Sequence, residues 1–247
     1  MKKFDGDRDA VVERALKAGV MAIVDVGLEY DSNRRSVEIS GMYPSVFPTM
    51  GFHPHDASKF DAMKLARQIV ELGEKAVAFG EIGLDFFKEY SPRATQISAF
   101  EELLGIAKRY GKPVVIHCRE AQDTLMPMLR AAGLATGGVM HCFPGDVDLM
   151  TETLDLGFHI AVGGPATYPN TQRLERVIGA VPRDRLILET DCPYLTPQKF
   201  RGQRNEPAYI PLIAERVAQI WKIPTEEVGE ITSKNVIELF KLELPKK

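Results

Sequence analysis

The sequence predicts an α/β fold of the (β/α) TIM-type barrel class, formed by a single domain over residues 1–247. Short apolar runs alternate with helical patterns along the chain, which indicates parallel strands joined by helical crossovers. Several runs end in an acidic or imidazole side chain, and barrel enzymes carry their functional groups at the carboxyl ends of the strands. A length of 247 residues is also typical of one barrel, so a second domain is not required.

The predicted strands are runs that are apolar on both faces, which is typical of strands covered by helices on both sides. Seven strands are recognisable, at residues 20–26, 46–50, 76–80, 113–117, 138–142, 158–162 and 185–189. Because the pattern begins with a helix and an eight-stranded barrel begins with a strand, we expect the first strand to be missing from this chain. A real deletion and a start codon assigned too far downstream both explain this, and the sequence leaves the two open.

The predicted helices carry apolar residues at three- and four-residue spacing. The first covers residues 7–18 and stops at Gly19. Another starts at Ser91-Pro92, a cap followed by proline in the first turn, and keeps its period as far as Gly111. The others are expected from about residue 30 and at 59–72, 120–132, 146–156, 171–180, 207–221 and 225–240.

The composition is that of a globular protein rather than a general nucleic-acid binder. Hydrophobic residues make up 45% and charged residues 26%, and the net charge is -3. Phosphate binding would therefore have to come from a local basic patch. The first twenty residues do not resemble a signal peptide, and no apolar stretch has the length of a membrane span. We expect a cytoplasmic location and no membrane partner.

Four side chains that can bind a metal ion follow predicted strands. Glu81 follows AVAFG, His117 follows PVVI, His141 follows GGVM and Asp191 follows LILET. The carboxyl ends of parallel strands meet at one edge of the sheet, so we expect these four side chains to converge. Mixed carboxylate and imidazole ligands suit Zn²⁺, Mn²⁺ or a similar divalent ion. The pattern therefore predicts a metal site at the mouth of the barrel.

Long motifs in the right order cover nearly the whole chain: FDGDRD at 4–9, GFHPHD at 51–56, GEIGLDFF at 80–87, PVVIHCRE at 113–120, GVMHCFPG at 138–145, LGFHIAVGGPATYP at 156–169, LILETDCPYLTP at 186–197 and RGQRNEP at 201–207. In these motifs the sequence resembles the TatD family of metal-dependent deoxyribonucleases, within the amidohydrolase superfamily. The resemblance implies a barrel hydrolase that cleaves DNA phosphodiester bonds with metal-activated water. Single strands or 3′ ends are the implied substrate, with no obligate protein partner.

The resemblance also implies roles for particular residues. Glu81, His117 and His141 would hold one divalent ion, which is Mg²⁺, Mn²⁺ or Zn²⁺, and Glu81 would bridge to a second. Asp191 would lie near the second ion and act as a base or orient the attacking water. His53 would be a catalytic residue and would contact a substrate phosphate.

The resemblance is incomplete at the N-terminus. The family usually opens with a strand that ends in a His-x-His pair, whereas only Met1, Lys2 and Lys3 precede the FDGDRD motif here. A second ion would then keep only Glu81 and Asp191 as ligands. We therefore expect one firmly held ion and at most a weaker second one.

Several basic and polar side chains near the strand ends have two interpretations. Arg201 and Arg204 lie in a basic segment and match the geometry of phosphate, although a solvated loop also explains them. Glu206 would instead anchor this loop by pairing with an arginine. For His55 the sequence favours neither of two interpretations, a position in the metal pocket or a loop histidine hydrogen-bonded to the backbone. Asp85 is more typical of a loop or cap residue than of a ligand.

Two alternatives to a deoxyribonuclease stay open from the sequence. One is a hydrolase of a small amide or ester from the same superfamily, because a fold does not determine a substrate. The other is a catalytically impaired, truncated member that binds without turning over. A basic loop at the site favours a phosphate substrate over an amide.

Overall fold

The computed structural model describes residues 2–244, in which strands and helices alternate. The strands are β1 Ile23–Asp25, β2 Val46–Met50, β3 Ala78–Asp85, β4 Val114–Arg119, β5 Gly138–Met140, β6 Phe158–Val162 and β7 Leu186–Leu188. The α-helices are α1 Arg8–Lys17, α2 Tyr30–Met42, α3 Ala62–Leu72, α4 Arg93–Tyr110, α5 Gln122–Ala132, α6 Val147–Asp155, α7 Gln172–Ala180, α8 Ile210–Trp221 and α9 Thr225–Phe240. The predicted α/β class and the seven predicted strands are confirmed.

The described chain divides into two compact units. The five-strand unit contains Ala22–His141, Asp155–Phe158 and the segment from Leu239 onward, and it carries β1 to β5. The two-strand unit contains the segment up to Met21, Cys142–Leu154 and His159–Glu238. The assignment of the whole chain to one domain stays a prediction.

Strand pairing within each unit is parallel. In the five-strand unit, β1 pairs with β2, β2 with β3, β3 with β4 and β4 with β5. In the two-strand unit, β6 pairs with β7, with Ile160 opposite Leu186. Parallel neighbours need crossover connections, which the helices supply. The carboxyl ends of β2 to β5 therefore lie along one edge of their sheet.

Apolar side chains exclude water from the strands of the five-strand unit. Met50, Phe79, Ile82, Ile116 and Met140 are all 0% exposed. Burying a side chain of this size contributes about 1.5–3 kcal/mol relative to leaving it in water. This packed layer gives a rigid support to the polar side chains at the strand ends.

Local signals set several helix ends. The carboxylate of Glu29 accepts hydrogen bonds from the backbone N–H groups of Asp31 and Ser32 at the start of α2, while the Ser32 hydroxyl accepts from the N–H of Glu29. The helix α4 ends at Tyr110, next to the predicted stop at Gly111, and Gly111 adopts the left-handed conformation with φ 66°. The expectation that Ser91 caps α4 is wrong, because the cap position is Pro92 and the Ser91 hydroxyl donates to the carbonyl of His55.

The largest difference from the predicted elements is the length of β3. The sequence predicts a strand over residues 76–80, but β3 continues to Asp85 through GEIGLD. Two glycines and a glutamate interrupt its apolar pattern, so alternation alone places its end too early. No helix in residues 2–244 combines the length and the apolar character that crossing a bilayer requires.

Candidate metal centre

Glu81 lies inside β3, where the strand is irregular. Its pairing with β4 shifts register between Phe79 and Ile82, as in a β-bulge, and bulges commonly re-aim a side chain. The backbone N–H of Glu81 donates to the carbonyl of Gly27 at 2.9 Å. A Cβ atom on Gly51 would lie 2.4 Å from the Glu81 nitrogen, so a glycine is needed at position 51 for this close approach. The local backbone therefore determines where the Glu81 carboxylate is held.

Three imidazole rings face one oxygen of that carboxylate. Oε1 of Glu81 lies 2.7 Å from Nδ1 of His117, 3.5 Å from Nε2 of His53 and 3.5 Å from Nε2 of His141. Ligand atoms of His53, Glu81 and His117 all lie within 4.8 Å of one another. The structure thus brings together three of the four predicted metal ligands, with His53 beside them.

Electrostatics keep this cluster ready for a cation. Burial would raise the pKa of Glu81, but His141, His53 and His117 together hold that pKa well below its usual range. Burial lowers the pKa of His117, while hydrogen bonds with Asp85 and Glu81 outweigh it, so the pKa is raised. Glu81 is therefore an ionised acceptor, and a divalent ion would take the place of a proton on the His117 ring.

Asp85 belongs to the same cluster. Its Oδ2 atom lies 3.1 Å from Nε2 of His117 and 2.9 Å from Nε2 of His55. Its Oδ1 atom accepts from the backbone N–H groups of Phe87 at 3.0 Å and Lys88 at 2.9 Å. The expected loop-capping role is therefore present, and a contact with a predicted metal ligand is present beside it.

The backbone of Asp85 is held as firmly as its side chain. Gln96, which is buried on α4, accepts from the N–H of Asp85 at 2.9 Å and donates to its carbonyl at 2.9 Å. The amide of Gln96 also donates to the carbonyl of Ser91, whose hydroxyl donates to the carbonyl of His55. This network connects the loop after β2 to the loop after β3 and orders the groups around His117.

Asp85 is the site residue that sequence reasoning underestimated. It lies on β3 four residues after Glu81, and side chains an even number of residues apart on a strand point to the same face. The even spacing was a usable signal. It was missed because the predicted strand ended at residue 80, which left Asp85 in a loop.

The fourth predicted ligand, Asp191, lies in the two-strand unit. It follows β7 in a tight turn, where its φ is +53° and its carbonyl accepts from the N–H of Tyr194 at 2.9 Å. The side-chain amide of Asn205 donates to the carbonyls of Thr190 and Tyr194 at 2.7 and 2.6 Å. The turn is therefore braced on both sides of Asp191, and its metal-binding role stays a prediction.

The predicted phosphate-binding arginines have different surroundings. Arg201 is exposed, with its guanidinium 4.2 Å from the centre of the Tyr168 ring. Arg204 donates to both oxygens of Asp7, at 2.8 and 2.6 Å, and that pairing lowers the pKa of Asp7. Glu206 accepts from Arg14 at 2.9 and 2.6 Å, so the expectation that Glu206 pairs with an arginine is confirmed.

The residues of the five-strand unit fit a divalent cation. The ionised carboxylate oxygen of Glu81 and the imidazole nitrogens of His117 and His141 are mixed oxygen and nitrogen donors, which suit Zn²⁺, Mn²⁺ and related ions. The second nitrogen of His117 meets the buried Asp85 carboxylate, an arrangement that accompanies histidine ligands in metalloproteins. Glu81, His117 and His141 would hold the ion.

Comparison with known proteins identifies the family of this chain. The family model described as TatD related DNase matches residues 1–241. The chain is 38% identical to the metal-dependent hydrolase YabD of Bacillus subtilis, over 98% of this chain and 95% of that protein. It is 36% identical to the 3′-5′ ssDNA/RNA exonuclease TatD of Edwardsiella piscicida, over 97% and 95% of the two chains.

A solved structure extends the agreement to the fold. The crystal structure of YJJV, a TatD homologue from Escherichia coli K12, superposes with a TM-score of 0.93 at 31% identity, over 98% of this chain and 95% of that one. The α/β barrel class predicted from the sequence is thereby confirmed. The chain belongs to the TatD family of metal-dependent hydrolases.

Proposed function

We propose that this protein is a metal-dependent nuclease that hydrolyses phosphodiester bonds in DNA, acting on single strands or 3′ ends. The observation that carries the proposal is the convergence of three imidazole nitrogens on Oε1 of the buried Glu81. The relative from Edwardsiella piscicida, a 3′-5′ ssDNA/RNA exonuclease, supports the substrate class. A divalent ion at such a site would stabilise the charge on the phosphoryl group during attack.

In this proposal Glu81, His117 and His141 would hold one divalent ion firmly, and Asp191 would be a ligand of a weaker second ion. The ion would polarise the phosphoryl oxygen and lower the pKa of the attacking water. Asp191 accepts the proton from that water or orients it. The Asp85 carboxylate keeps the Nδ1 side of His117 turned towards Glu81.

His53 serves as a hydrogen-bond donor to phosphate. Its Nδ1 atom accepts from the backbone N–H of His55 at 3.1 Å, so in the neutral ring the proton lies on Nε2. Nε2 is the atom that faces the Glu81 carboxylate and the metal position. A donor at that point suits a phosphate oxygen better than it suits a metal ion, which would need an unprotonated nitrogen.

Arg201 and Arg204 contribute differently to phosphate binding. Arg201 is exposed and its guanidinium lies over the Tyr168 ring, so its N–H groups can donate to a phosphate oxygen. Arg204 is already paired with Asp7, and a phosphate would have to share or replace that partner. We therefore assign direct steering of the phosphate backbone chiefly to Arg201.

Nuclease activity on single-stranded DNA labelled at the 3′ or 5′ end tests the function. The full chain is assayed with Mg²⁺, Mn²⁺, Zn²⁺ or EDTA, beside a His117→Ala variant and an exposed control, Glu71→Gln. Metal-dependent shortening from the 3′ end, lost in His117→Ala and retained in Glu71→Gln, is the expected result. A folded, metal-loaded wild type that leaves both DNA substrates intact would overturn the proposal. The preference for DNA over RNA and the cytoplasmic location stay predictions.

A further inference from the structure

The loop after β3 presents two aromatic side chains to solvent beside the metal centre. Phe87 is 49% exposed and Tyr90 is 69% exposed, and both lie in the short segment that follows the buried Asp85. Single exposed apolar residues are ordinary on protein surfaces. Two large exposed rings within four residues of one loop, next to a buried polar site, indicate instead a surface that binds a ligand.

Tyr90 is connected to the metal centre through successive ring contacts. Its ring lies 4.7 Å from that of His55, nearly perpendicular to it, and the His55 ring lies 4.4 Å from that of His53. His53 in turn faces Glu81. A group resting on the exposed side of Tyr90 is therefore only two rings away from the position where His53 would meet a phosphate.

Phe87 carries a cation on its face. The guanidinium of Arg119 lies 3.9 Å from the centre of the Phe87 ring, and the Phe87 backbone N–H donates to Asp85. Arg119 is the last residue of β4, two positions after His117, so the two side chains leave the strand on the same side. Arg119 is exposed and forms no ion pair within the part of the chain that the structure describes.

The charge around these rings suits an anionic, aromatic ligand. The Lys88 ammonium lies 5.4 Å from the Phe87 ring centre, and the neighbouring Glu89 is paired with Arg93 at 2.7 Å. An exposed aromatic ring with an unpaired guanidinium is the combination by which proteins hold single-stranded nucleic acid, since bases stack on the ring and the cation meets the backbone. A duplex keeps its bases stacked on one another and does not offer a free face.

We propose that Phe87, Tyr90 and Arg119 form a stacking platform that takes unpaired bases next to the scissile phosphate. Tyr90 receives the face of one base, Phe87 receives a second base on the ring face opposite Arg119, and Arg119 contacts the phosphate between the two bases. The platform selects single-stranded ends over paired ones. This inference rests on the proposed nuclease function and deepens it, because it assigns the preference for unpaired substrate to specific side chains.

Binding without cleavage tests the platform. The full chain in EDTA is titrated into a 5′-fluorescent oligothymidylate and into the same strand with abasic sugars at its 3′ end, and anisotropy is followed. The wild type is expected to bind the abasic strand at least about fivefold more weakly. Phe87→Leu and Tyr90→Leu are expected to weaken binding of the intact strand and to shrink the difference between the two strands, as in a double-mutant cycle.

Matched variants separate stacking from general surface effects. Met63→Ala removes an exposed apolar side chain from α3, and Arg67→Gln removes an exposed charge from the same helix. Both variants are expected to bind the intact strand as the wild type does. Arg119→Gln is expected to lower the slope of log affinity against log salt concentration by the amount that corresponds to about one phosphate contact. Unchanged binding of the intact strand by Phe87→Leu and Tyr90→Leu would overturn the platform.

Cleavage measured separately distinguishes the two proposals. A metal-loaded wild type that cleaves DNA, with platform variants that bind and cleave equally well, would overturn the platform alone. A wild type that discriminates against the abasic strand in EDTA but never cleaves with metal would overturn the nuclease function alone.

Discussion

The carboxylate of Asp85 holds His117 from the side opposite to Glu81. Oδ2 of Asp85 lies 3.1 Å from Nε2 of His117, while Nδ1 of the same ring lies 2.7 Å from Oε1 of Glu81. An imidazole that donates one N–H to a buried carboxylate has its tautomer and its orientation determined. Nδ1 is thereby the nitrogen that His117 offers to a metal ion.

Asp85→Asn should weaken metal binding although it leaves the metal-binding side chains Glu81, His117 and His141 in place. The amide keeps an oxygen for the N–H groups of Phe87 and Lys88 but removes the charge that favours the Nε2–H tautomer of His117. We expect the affinity for Mn²⁺ or Zn²⁺ to fall by about 10- to 100-fold, as measured by calorimetry on the metal-free protein. Glu71→Gln, a surface change, serves as the control, and equal affinities in Asp85→Asn and wild type would refute the role given to Asp85.

Substitution of His53 and of His117 should have separable effects. His117→Ala removes a ligand, so metal affinity and cleavage should both be lost. His53→Ala removes a phosphate donor, so we expect metal affinity within about threefold of wild type but a cleavage rate lower by 10²-fold or more. Calorimetry and initial-rate measurements on the two variants check this. Equal loss of metal binding in both would make His53 a ligand instead.

Gly51→Ala should disturb the metal centre by displacing the backbone that carries Glu81. The new methyl would meet the backbone of Gly80 at 2.3 Å and of Glu81 at 2.4 Å, so β3 would have to move. We expect a loss of about 1–3 kcal/mol in the free energy of unfolding, together with weaker metal binding. Gly41→Ala is the matched control, because a Cβ there meets nothing within 4 Å and α2 gains a better helix former. Denaturant unfolding of both variants gives the comparison, and a fully stable Gly51→Ala would contradict it.

Cys118 should resist alkylation in the folded protein. Burial raises the pKa of this thiol to about 11, and its side chain is 5% exposed beneath the strand face opposite His117. Because a raised pKa means that thiolate is scarce until the pH approaches 11, we expect almost no reaction with iodoacetamide at pH 8. Mass spectrometry after labelling in buffer and in urea measures the difference at this residue. Equal labelling rates in the two conditions would refute the buried position.

The sequence predicts most of the fold because each strand is short, apolar and bounded by clear breaks. The predicted strands at 46–50 and 158–162 coincide with β2 and β6. β3 is the exception, since close backbone contacts at Gly80 and Gly83 require glycines that look like strand breakers when neighbours are unknown. Tertiary packing, which a single sequence does not display, extended this strand to Asp85.

The candidate site could be predicted as far as its ligand types and no further. Glu81, His117 and His141 were found because each follows an apolar run. Which nitrogen of each ring carries a proton depends on further contacts. For His117 it is the contact with Asp85, and for His53 it is the hydrogen bond from the His55 backbone. Those contacts join loops that are distant in sequence, so residue order alone does not reveal them.

The position of a bound ion tests the central claim most directly. Crystals of the full chain grown with Zn²⁺ or Mn²⁺ would be measured at the absorption edge of that metal. The account predicts an anomalous peak bounded by Oε1 of Glu81, Nδ1 of His117 and Nε2 of His141, at about 2.0–2.2 Å from each ligand atom. Metal-loaded crystals with no peak beside Glu81, or with a peak held by other residues, would contradict it.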